Sequence, residues 1–154
     1  MSGTPGVLVL RGDARALPLP DESVDLICTS PPYFALRSYV DGGVHFESQI
    51  GSEATPQEYI ANLIDCTREW VRVLKPSGSI RVDLGDKYAS GPSGPPGATA
   101  RFNERTGART ALRARVSGAP PHKSLMLLPE RYRVACVDQL GLIARAVVIW
   151  SKPN

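Results

Sequence analysis

The sequence has few of the residues that build metal sites and disulfide frameworks. Its 154 residues include three cysteines and two histidines. Cys28, Cys66 and Cys136 lie far apart among apolar neighbours, whereas zinc sites need closely spaced Cys and His pairs and disulfide scaffolds need cysteines in even number. We therefore expect no bound metal, and we interpret all three cysteines as small buried hydrophobic residues.

Long apolar runs are also missing. No run approaches the roughly 20 apolar residues that a membrane-spanning helix needs, and Met1 is not followed by the basic and apolar regions of a secretion signal. We therefore expect a cytoplasmic protein with no membrane partner. Hydrophobic residues make up 42% and charged residues 21% of the chain, which is typical of one soluble globular domain.

The net charge of +3 is unevenly distributed, because residues 87–123 contain seven basic residues and only one acidic residue. Within this stretch, residues 89–121 are rich in Gly, Pro, Ser, Thr and Ala, and we predict a basic mobile loop there. Arginines recur every fourth residue, so a basic helical face could form on binding. The charge favours a polyanionic partner, although a solvated loop without a ligand fits the same pattern. These arginines are Arg101, Arg105, Arg109 and Arg113.

Apolar patterning predicts an α/β fold. Thr55, Pro56 and Glu58 form the capping signature of a helix over residues 55–74, and residues 75–78 end it. Because strands and helices alternate, we expect a mainly parallel sheet with flanking helices. The other predicted elements are strands over residues 7–10, 24–29, 79–84 and 142–150, and a helix over residues 129–140 with Val134, Val137 and Leu140 facing inward and Gly141 as its stop.

The most informative motif is Ser30-Pro31-Pro32-Tyr33, directly after the predicted strand at residues 24–29. Ligands bind at the carboxyl ends of strands in α/β sheets, and two prolines make a stiff loop with free carbonyls. Methylation of an exocyclic amine needs acceptors for both amine protons, which Ser30 Oγ and the Pro31 carbonyl could provide. Tyr33 could stack on a base extruded from the duplex. Four residues alone fit a simple turn equally well.

Beyond its chemistry, this motif resembles the catalytic motif of the DNA amino-methyltransferases that modify cytosine N4 or adenine N6. Further segments resemble the permuted class, in which the catalytic motif comes first. Several segments in the expected order are more specific than a tetrapeptide. They are Gly12-Asp13, Asp25-Leu26-Ile27, Leu36-Arg37-Ser38-Tyr39, Gln49-Ile50-Gly51, Thr55-x-x-Glu58-Tyr59, residues 72–78, residues 84–88, Lys123-Ser124-Leu125, Pro129 and residues 149–154.

The resemblance implies a partial Rossmann-like methyltransferase fold and S-adenosylmethionine as the methyl donor, bound near Asp13. It implies that the catalytic residues hold the target amine and base of double-stranded DNA, and that Gly85-Asp86 ends the neighbouring strand at the active-site mouth. Asp86 fits a capping role equally well. Serine in the first motif position favours cytosine N4 over adenine N6. The catalytic residues are Ser30, Pro31, Pro32 and Tyr33, and the candidate DNA-phosphate contacts are Arg37, Arg101, Arg105, Arg109, Arg113 and Lys123.

The sequence departs from the family in one respect: we find no Phe-x-Gly-x-Gly cofactor loop, which follows Lys-Pro-Asn in this class. We therefore expect residues 1–154 to be the catalytic-motif part of a methyltransferase domain, truncated at its C-terminus and inactive alone. Three accounts fit the missing cofactor loop: the chain is a fragment of a longer gene product, it is half of a split enzyme completed by a second chain, or it is a decayed remnant. The rival functions are a non-catalytic nucleic-acid-binding module and an RNA or protein amine methyltransferase.

Overall fold

The computed structural model describes residues 6–36, 40–41, 44–45, 49–89, 101–103, 108–110 and 117–151. In these ranges the strands Val24–Thr29 and Leu74–Val82 pair in parallel. Val40–Asp41 with Val44–His45 and Arg101–Asn103 with Ala108–Thr110 form short antiparallel pairs. No helix in the described ranges is long and apolar enough to cross a membrane. The elements are β1 (Val24–Thr29), β2 (Val40–Asp41), β3 (Val44–His45), α1 (Pro56–Val73), β4 (Leu74–Val82), β5 (Arg101–Asn103), β6 (Ala108–Thr110) and α2 (Leu128–Leu140).

The central unit is β1, α1 and β4, in which the helix lies between two parallel strands along the chain. Parallel strands need such a crossover connection. Leu26 pairs with Ser79 and Thr29 with Val82, so the two strands end side by side and the loops that follow them meet at one edge. The predicted α/β class with parallel strands is confirmed.

The N-terminus of α1 forms as its sequence predicts. The Thr55 hydroxyl accepts from the Glu58 backbone N–H at 3.1 Å, and the Glu58 carboxylate accepts from the Thr55 N–H at 3.0 Å. Pro56 fits the first turn because its missing N–H would have no helical partner there. The predicted helix is therefore confirmed to within its capping residues, Thr55 and Leu74.

The core lies between α1, α2 and the loop after β1. Nearly all of its side chains come from these three parts of the chain, and a buried hydrogen bond of 2.6 Å joins Thr67 of α1 to Tyr132 of α2. A buried polar pair of this kind fixes how the two helices align, because either partner alone would lose its hydrogen bond. The core residues are Phe34, Tyr59, Leu63, Ile64, Ala89, Met126, Leu128, Tyr132 and Ala135.

The second helix begins one residue earlier than predicted, and its C-terminal stop is confirmed: Gly141 adopts φ 66° and its N–H bonds the Cys136 and Val137 carbonyls. Of its predicted inward residues, Leu140 is partly buried against the core, but the prediction is wrong for the two valines. Val134 and Val137 are exposed, whereas Tyr132 and Ala135 are buried. The face carrying the larger Tyr132 ring, with its hydrogen bond to Thr67, packs on α1, and the valines on the other side remain in solvent.

Two predicted strands are absent from the described residues. Residues 7–10 and 142–150 have no strand hydrogen bonding, and Val7 and Val148 are 93% and 89% exposed. A strand exists only where a neighbour completes its ladder of hydrogen bonds, and no described segment pairs with either run. Apolar surface is therefore exposed at residues 7–10, and Leu26 in β1 is partly exposed as well.

Two further expectations need correction around the parallel pair. Residues 75–78, predicted to end α1, lie inside β4, because the chain passes directly from helix to strand at Leu74. Cys66 is buried and Cys136 half-buried, but Cys28 is exposed. Cys28 shares a face of β1 with Leu26, two residues away, and that face is not covered by any described residue.

Much of the predicted basic loop at 89–121 lies outside the described residues, namely 90–100, 104–107 and 111–116. The described parts include β5 and β6, so the four-residue arginine spacing does not correspond to a helix there. Arg101 and Arg109 belong to these strands, and Arg37, Arg105 and Arg113 lie outside the described residues.

Candidate active site

The candidate site is the loop of residues 30–36, which follows the carboxyl end of β1 and is called the motif loop below. The Asp83 N–H bonds the Thr29 carbonyl at 2.9 Å, which holds the start of the loop beside the end of β4. Ser30 is exposed, Pro31 is buried, and Tyr33 is half-buried. Among the described residues no donor bonds the Ser30 hydroxyl or the Pro31 carbonyl, so this part of the chain leaves both acceptors unused.

A tyrosine of α1 holds the middle of the motif loop. The Tyr59 hydroxyl donates to the Pro32 carbonyl at 2.8 Å, and its ring packs against Phe34 with the ring centroids 5.4 Å apart. Burial raises the pKa of Tyr59 well above its usual range, so the hydroxyl keeps its proton and remains a donor. Phe34 is 1% exposed, and it anchors the loop in the core.

The segment before α1 supports the same loop from another side. The Ala35 N–H bonds the Gly51 carbonyl at 2.7 Å, and Gly51 adopts φ 96°, which favours glycine. Glu53 bonds both the Gly51 N–H at 2.8 Å and the Asn62 amide at 2.8 Å. The segment before α1 is therefore attached to the helix through Glu53.

The segment after β4 meets the ring of Tyr33. A Cβ atom added to Gly85 would lie 2.7 Å from Tyr33 Cε2, so the ring lies directly against this glycine. Lys87 extends toward the loop as well: its Nζ atom is 3.4 Å from the Ala35 carbonyl and 5.8 Å from the centroid of the Phe34 ring. β4 ends at Val82, so Gly85 does not end the strand as expected but follows it by three residues, and its place at the active-site mouth stays a prediction.

Asp86 has a structural role. Its carboxylate accepts from the Leu127 and Leu128 N–H groups at 2.9 and 3.2 Å. These are the first groups of α2, whose own capping residue, Leu127, provides no side-chain bond. A carboxylate at a helix N-terminus is favoured by the helix dipole. Of the two readings of Asp86 left open by the sequence, the geometry supports capping.

Asp13 lies in the lead-in to β1, residues 11–23, and its partner is local. The Arg15 side chain bonds both of its carboxylate oxygens at 3.1 Å, and these bonds hold the pKa of Asp13 below its usual range. Within the described residues, no hydrogen bond or ion pair joins Asp13 to the motif loop. Its predicted place near a cofactor therefore stays a prediction.

The lead-in is attached to the C-terminal half of α1 through charges. Arg72 bonds the Leu17 and Leu19 carbonyls at 3.1 and 3.0 Å and forms ion pairs with Glu69 and Asp21. Glu69 in turn accepts from the Leu17 N–H at 2.7 Å. One arginine therefore fixes several points of the lead-in.

Comparison with known protein families shows which family contains this chain. The model of the family described as DNA methylase matches residues 24–154, most of the chain. The chain belongs to the DNA methylase family. The match includes the motif loop and both of its supports, at Gly51 and at Gly85, and it begins C-terminal to Asp13.

The relatives of this chain are longer proteins. Type II methyltransferase M.SmaI of Serratia marcescens is 36% identical over 151 residues, covering 95% of this chain and 48% of the relative. M.XycI of Xanthomonas campestris pv. cyanopsidis is 34% identical over 154 residues, or 97% and 47% of the two chains. M.SfiI of Streptomyces fimbriatus is 34% identical over 142 residues, but only 27% of it is covered. The chain thus spans about half the length of two relatives, and no solved structure matches it.

Among the described residues, nothing links Asp13 or the two parallel strands to the cofactor loop of the family. Asp13 is exposed and bonded to Arg15, and neither β1 nor β4 leads through a glycine-rich turn into a helix. No group of three or more metal-ligating side chains occurs among the described residues. The site that this part of the family fold does form is therefore the motif loop and its supports.

Of the candidate DNA contacts, Lys123 is the one whose side chain the structure describes. It is exposed, with φ 68°, and its backbone N–H bonds the Ala89 carbonyl at 3.0 Å. It therefore lies at the end of the basic segment, residues 87–123, where the chain returns to the core. Sequence reasoning missed the supports Tyr59, Glu53 and Lys87. Two of the segments that resemble the family adjoin or include these residues, namely Gln49-Ile50-Gly51 and Thr55-x-x-Glu58-Tyr59. The aromatic residue directly after the capping box was the signal that could have identified Tyr59 as a support.

Proposed function

We propose that this chain is the base-gripping part of a DNA amino-methyltransferase, which transfers a methyl group from S-adenosylmethionine to the exocyclic amine of an extruded base. The observation that carries the proposal is the motif loop, which is fixed by buried contacts. No described residue donates a hydrogen bond to the Ser30 hydroxyl or the Pro31 carbonyl. A fixed loop with unused acceptors is suited to binding a ligand. The names of M.SmaI and M.XycI as Type II methyltransferases support the same activity.

In the proposed mechanism the loop prepares the amine. The lone pair of an exocyclic amine is delocalised into the base ring, so the nitrogen is a poor nucleophile. Hydrogen bonds from its two protons to Ser30 Oγ and the Pro31 carbonyl draw the nitrogen toward tetrahedral geometry. Tyr33 stacks on the base once it has left the duplex. S-adenosylmethionine supplies the methyl group when bound, and the contribution of these residues is orientation.

The serine in the first motif position leads us to propose cytosine N4 as the target, ahead of adenine N6. Both amines are planar and conjugated, so the same acceptors fit either base. Enzymatic digestion of DNA methylated by the intact enzyme, followed by mass spectrometry of the nucleosides, distinguishes the two products. Methylated adenosine without methylated cytidine would overturn this choice.

We further propose that the basic residues hold double-stranded DNA by its phosphates. Lys123 lies at the end of the basic segment, and Arg101 and Arg109 lie in the paired strands β5 and β6. The proposal for Arg37, Arg105 and Arg113 rests on sequence alone. Phosphate contacts release counterions, so the affinity of the chain for duplex DNA should fall steeply as salt is added.

A binding experiment tests the proposed role of the loop against a rival. We expect the chain to bind fluorescein-labelled single-stranded DNA and Tyr33→Ala to weaken binding about tenfold, because one stacking contact is lost. A non-catalytic binding module would instead bind with the same salt dependence and with no effect of Tyr33→Ala. The exposed residue Leu36 provides a matched control, and Leu36→Ala should leave the affinity unchanged.

The isolated chain should show no methyl transfer, because its sequence lacks the Phe-x-Gly-x-Gly cofactor loop of the family. Incubation with radiolabelled S-adenosylmethionine and DNA checks this expectation, with the M.SmaI enzyme as the positive control. Incorporation of label by these 154 residues would contradict it. A second chain that supplies the donor pocket is one way in which activity could be restored, and adding candidate partner chains to the same assay tests for it.

A further inference from the structure

The ring of Tyr33 lies closer to Gly85 than any other residue type would permit. A Cβ atom at position 85 would lie 2.7 Å from Cε2, 3.0 Å from Cδ2 and 3.3 Å from Cζ of the ring. Gly85 does not have positive φ, unlike Gly51, Gly118 and Gly141. The backbone conformation therefore does not require glycine at position 85, and the close approach of the ring is the remaining reason for it.

The backbone of Tyr33 is held independently of its ring. A Cβ atom added to Gly51 would lie 3.0 Å from the Tyr33 carbonyl oxygen, and Tyr59 bonds the carbonyl of the preceding Pro32 at 2.8 Å. The segment before α1 and α1 itself thus fix where the side chain begins. The segment after β4, through Gly85, then fixes where the ring lies.

We infer that Gly85 is a positioning residue, whose bare backbone sets the place of the Tyr33 ring and thereby the plane on which the target base stacks. The inference rests on the proposed function, in which Tyr33 is the stacking residue. A methyl group at position 85 displaces the ring while leaving its anchors, Phe34 and Tyr59, in the core. The ring is the far end of a rotatable side chain, so Gly85→Ala moves it without unfolding the protein.

The first test measures ring position without DNA. In the chain labelled with ring-carbon-13 tyrosine, the wild type should show nuclear Overhauser contacts between the Gly85 α-protons and the Tyr33 ring. In Gly85→Ala the Tyr33 ring signals should shift more than those of Tyr59 and Tyr132. Unchanged Tyr33 signals in Gly85→Ala would overturn the inference, whatever the DNA experiments give.

A matched glycine provides the control. Gly78 lies in β4, and a Cβ atom there would meet Leu74 at 2.6 Å and the Asp25 carbonyl at 3.0 Å. Gly78→Ala therefore disturbs the strand pairing at a comparable distance, but it touches no residue of the motif loop. It should leave the Tyr33 ring signals in place, and an equal Tyr33 shift in both variants would show a general disturbance and overturn the inference.

The second test is a double-mutant cycle on the same labelled single-stranded DNA. Tyr33→Ala and Gly85→Ala should each weaken binding about tenfold, and the double variant should be no weaker than Tyr33→Ala. Additive losses would mean that Gly85 acts by another route and would overturn the inference. If Tyr33→Ala has no effect, the proposed stacking function fails instead, and the ring signals alone decide the place of Gly85.

The cycle also covers the case in which Gly85→Ala fails to fold. If the added methyl group unfolds the chain by striking the ring, removal of the ring should restore folding in Tyr33→Ala/Gly85→Ala. Circular dichroism and urea unfolding report this rescue directly. A double variant as unfolded as Gly85→Ala would show that the methyl group meets something other than Tyr33, and the inference would be wrong.

Discussion

The loops on the two sides of β1 are both attached to α1, but by different forces. The motif loop is held at the N-terminal half of the helix by buried groups, since Phe34 and Tyr59 are 1% and 0% exposed. The lead-in is held at the C-terminal half by the ion pairs of Arg72 with Asp21, whose side chain is 74% exposed, and with the more buried Glu69. Backbone bonds from Glu22 and Ser23 to the end of the helix add to this attachment. Salt screens exposed charges strongly and buried contacts little, so the two loops should respond differently to their surroundings.

Removal of the buried anchor should have the largest effect. Phe34→Ala deletes a fully buried ring and should destabilise the chain by about 3–5 kcal/mol, a large share of the stability of a domain of this size. Urea unfolding followed by circular dichroism measures the loss. Leu36→Ala, at an exposed position of the same loop, should change stability by no more than about 0.5 kcal/mol. Equal losses would show that burial is not what fixes the loop.

Removal of one buried hydroxyl should have the next largest effect. Tyr59→Phe keeps the ring packed on Phe34 but leaves the Pro32 carbonyl without its donor, and we expect a loss of about 1–3 kcal/mol. Tyr132→Phe is the matched change in the helix pair, where Thr67 keeps its bond to the Leu63 carbonyl. Only Tyr59→Phe should also weaken binding of single-stranded DNA, because only it loosens the motif loop.

Alkaline pH should act on the same contacts. Burial raises the pKa of Tyr59 and Tyr132 above their ordinary value of 10.0, so the folded state holds these protons more tightly than the unfolded state. Their contribution to stability is complete below pH 10 and is lost as the pH rises further. Thermal unfolding from pH 8 to 11 should show this decline, and Tyr59→Phe should make it shallower. A Tyr59→Phe variant with the full decline would contradict the assignment.

Weakening the attachment of the lead-in should give the smallest change in global stability, and this attachment should depend most strongly on salt. Arg72→Met removes the bonds to the Leu17 and Leu19 carbonyls, so hydrogen exchange at residues 11–23 should become faster while residues 30–36 remain protected. High salt should speed the same exchange in the wild type. Arg68, whose pairing with Asp65 is exposed, provides the control, and Arg68→Met should change neither loop. Equal loosening of both loops by salt would abolish the contrast.

Local features could be predicted from the sequence, and contacts between distant residues could not. The capping box of α1 and the glycine stop of α2 each involve residues close together in the sequence, so both helix ends could be predicted from sequence alone. The bond from Tyr59 to Pro32 spans 27 positions, and the contact between Gly85 and Tyr33 joins two separate loops. Residues 7–10 and 142–150 have strand-like composition, but a strand also needs a partner, which composition does not reveal. The prediction that Val134 and Val137 of α2 are buried was wrong because it, too, depended on which distant residues pack against the helix.

The basic segment leaves and re-enters the core at one point. Ala89 accepts from the Lys123 N–H at 3.0 Å and donates to the Ser124 carbonyl at 2.8 Å, and Gln57 bonds the Gly118 carbonyl at 3.0 Å. Ala89 and Lys123 are therefore held side by side, so the sequence between them starts and ends at adjacent points of the described structure. Doubling the length of such an insertion costs only about 0.6 kcal/mol. The position is therefore open to evolutionary exchange of whole segments, and it is also the natural site for grafting a foreign peptide.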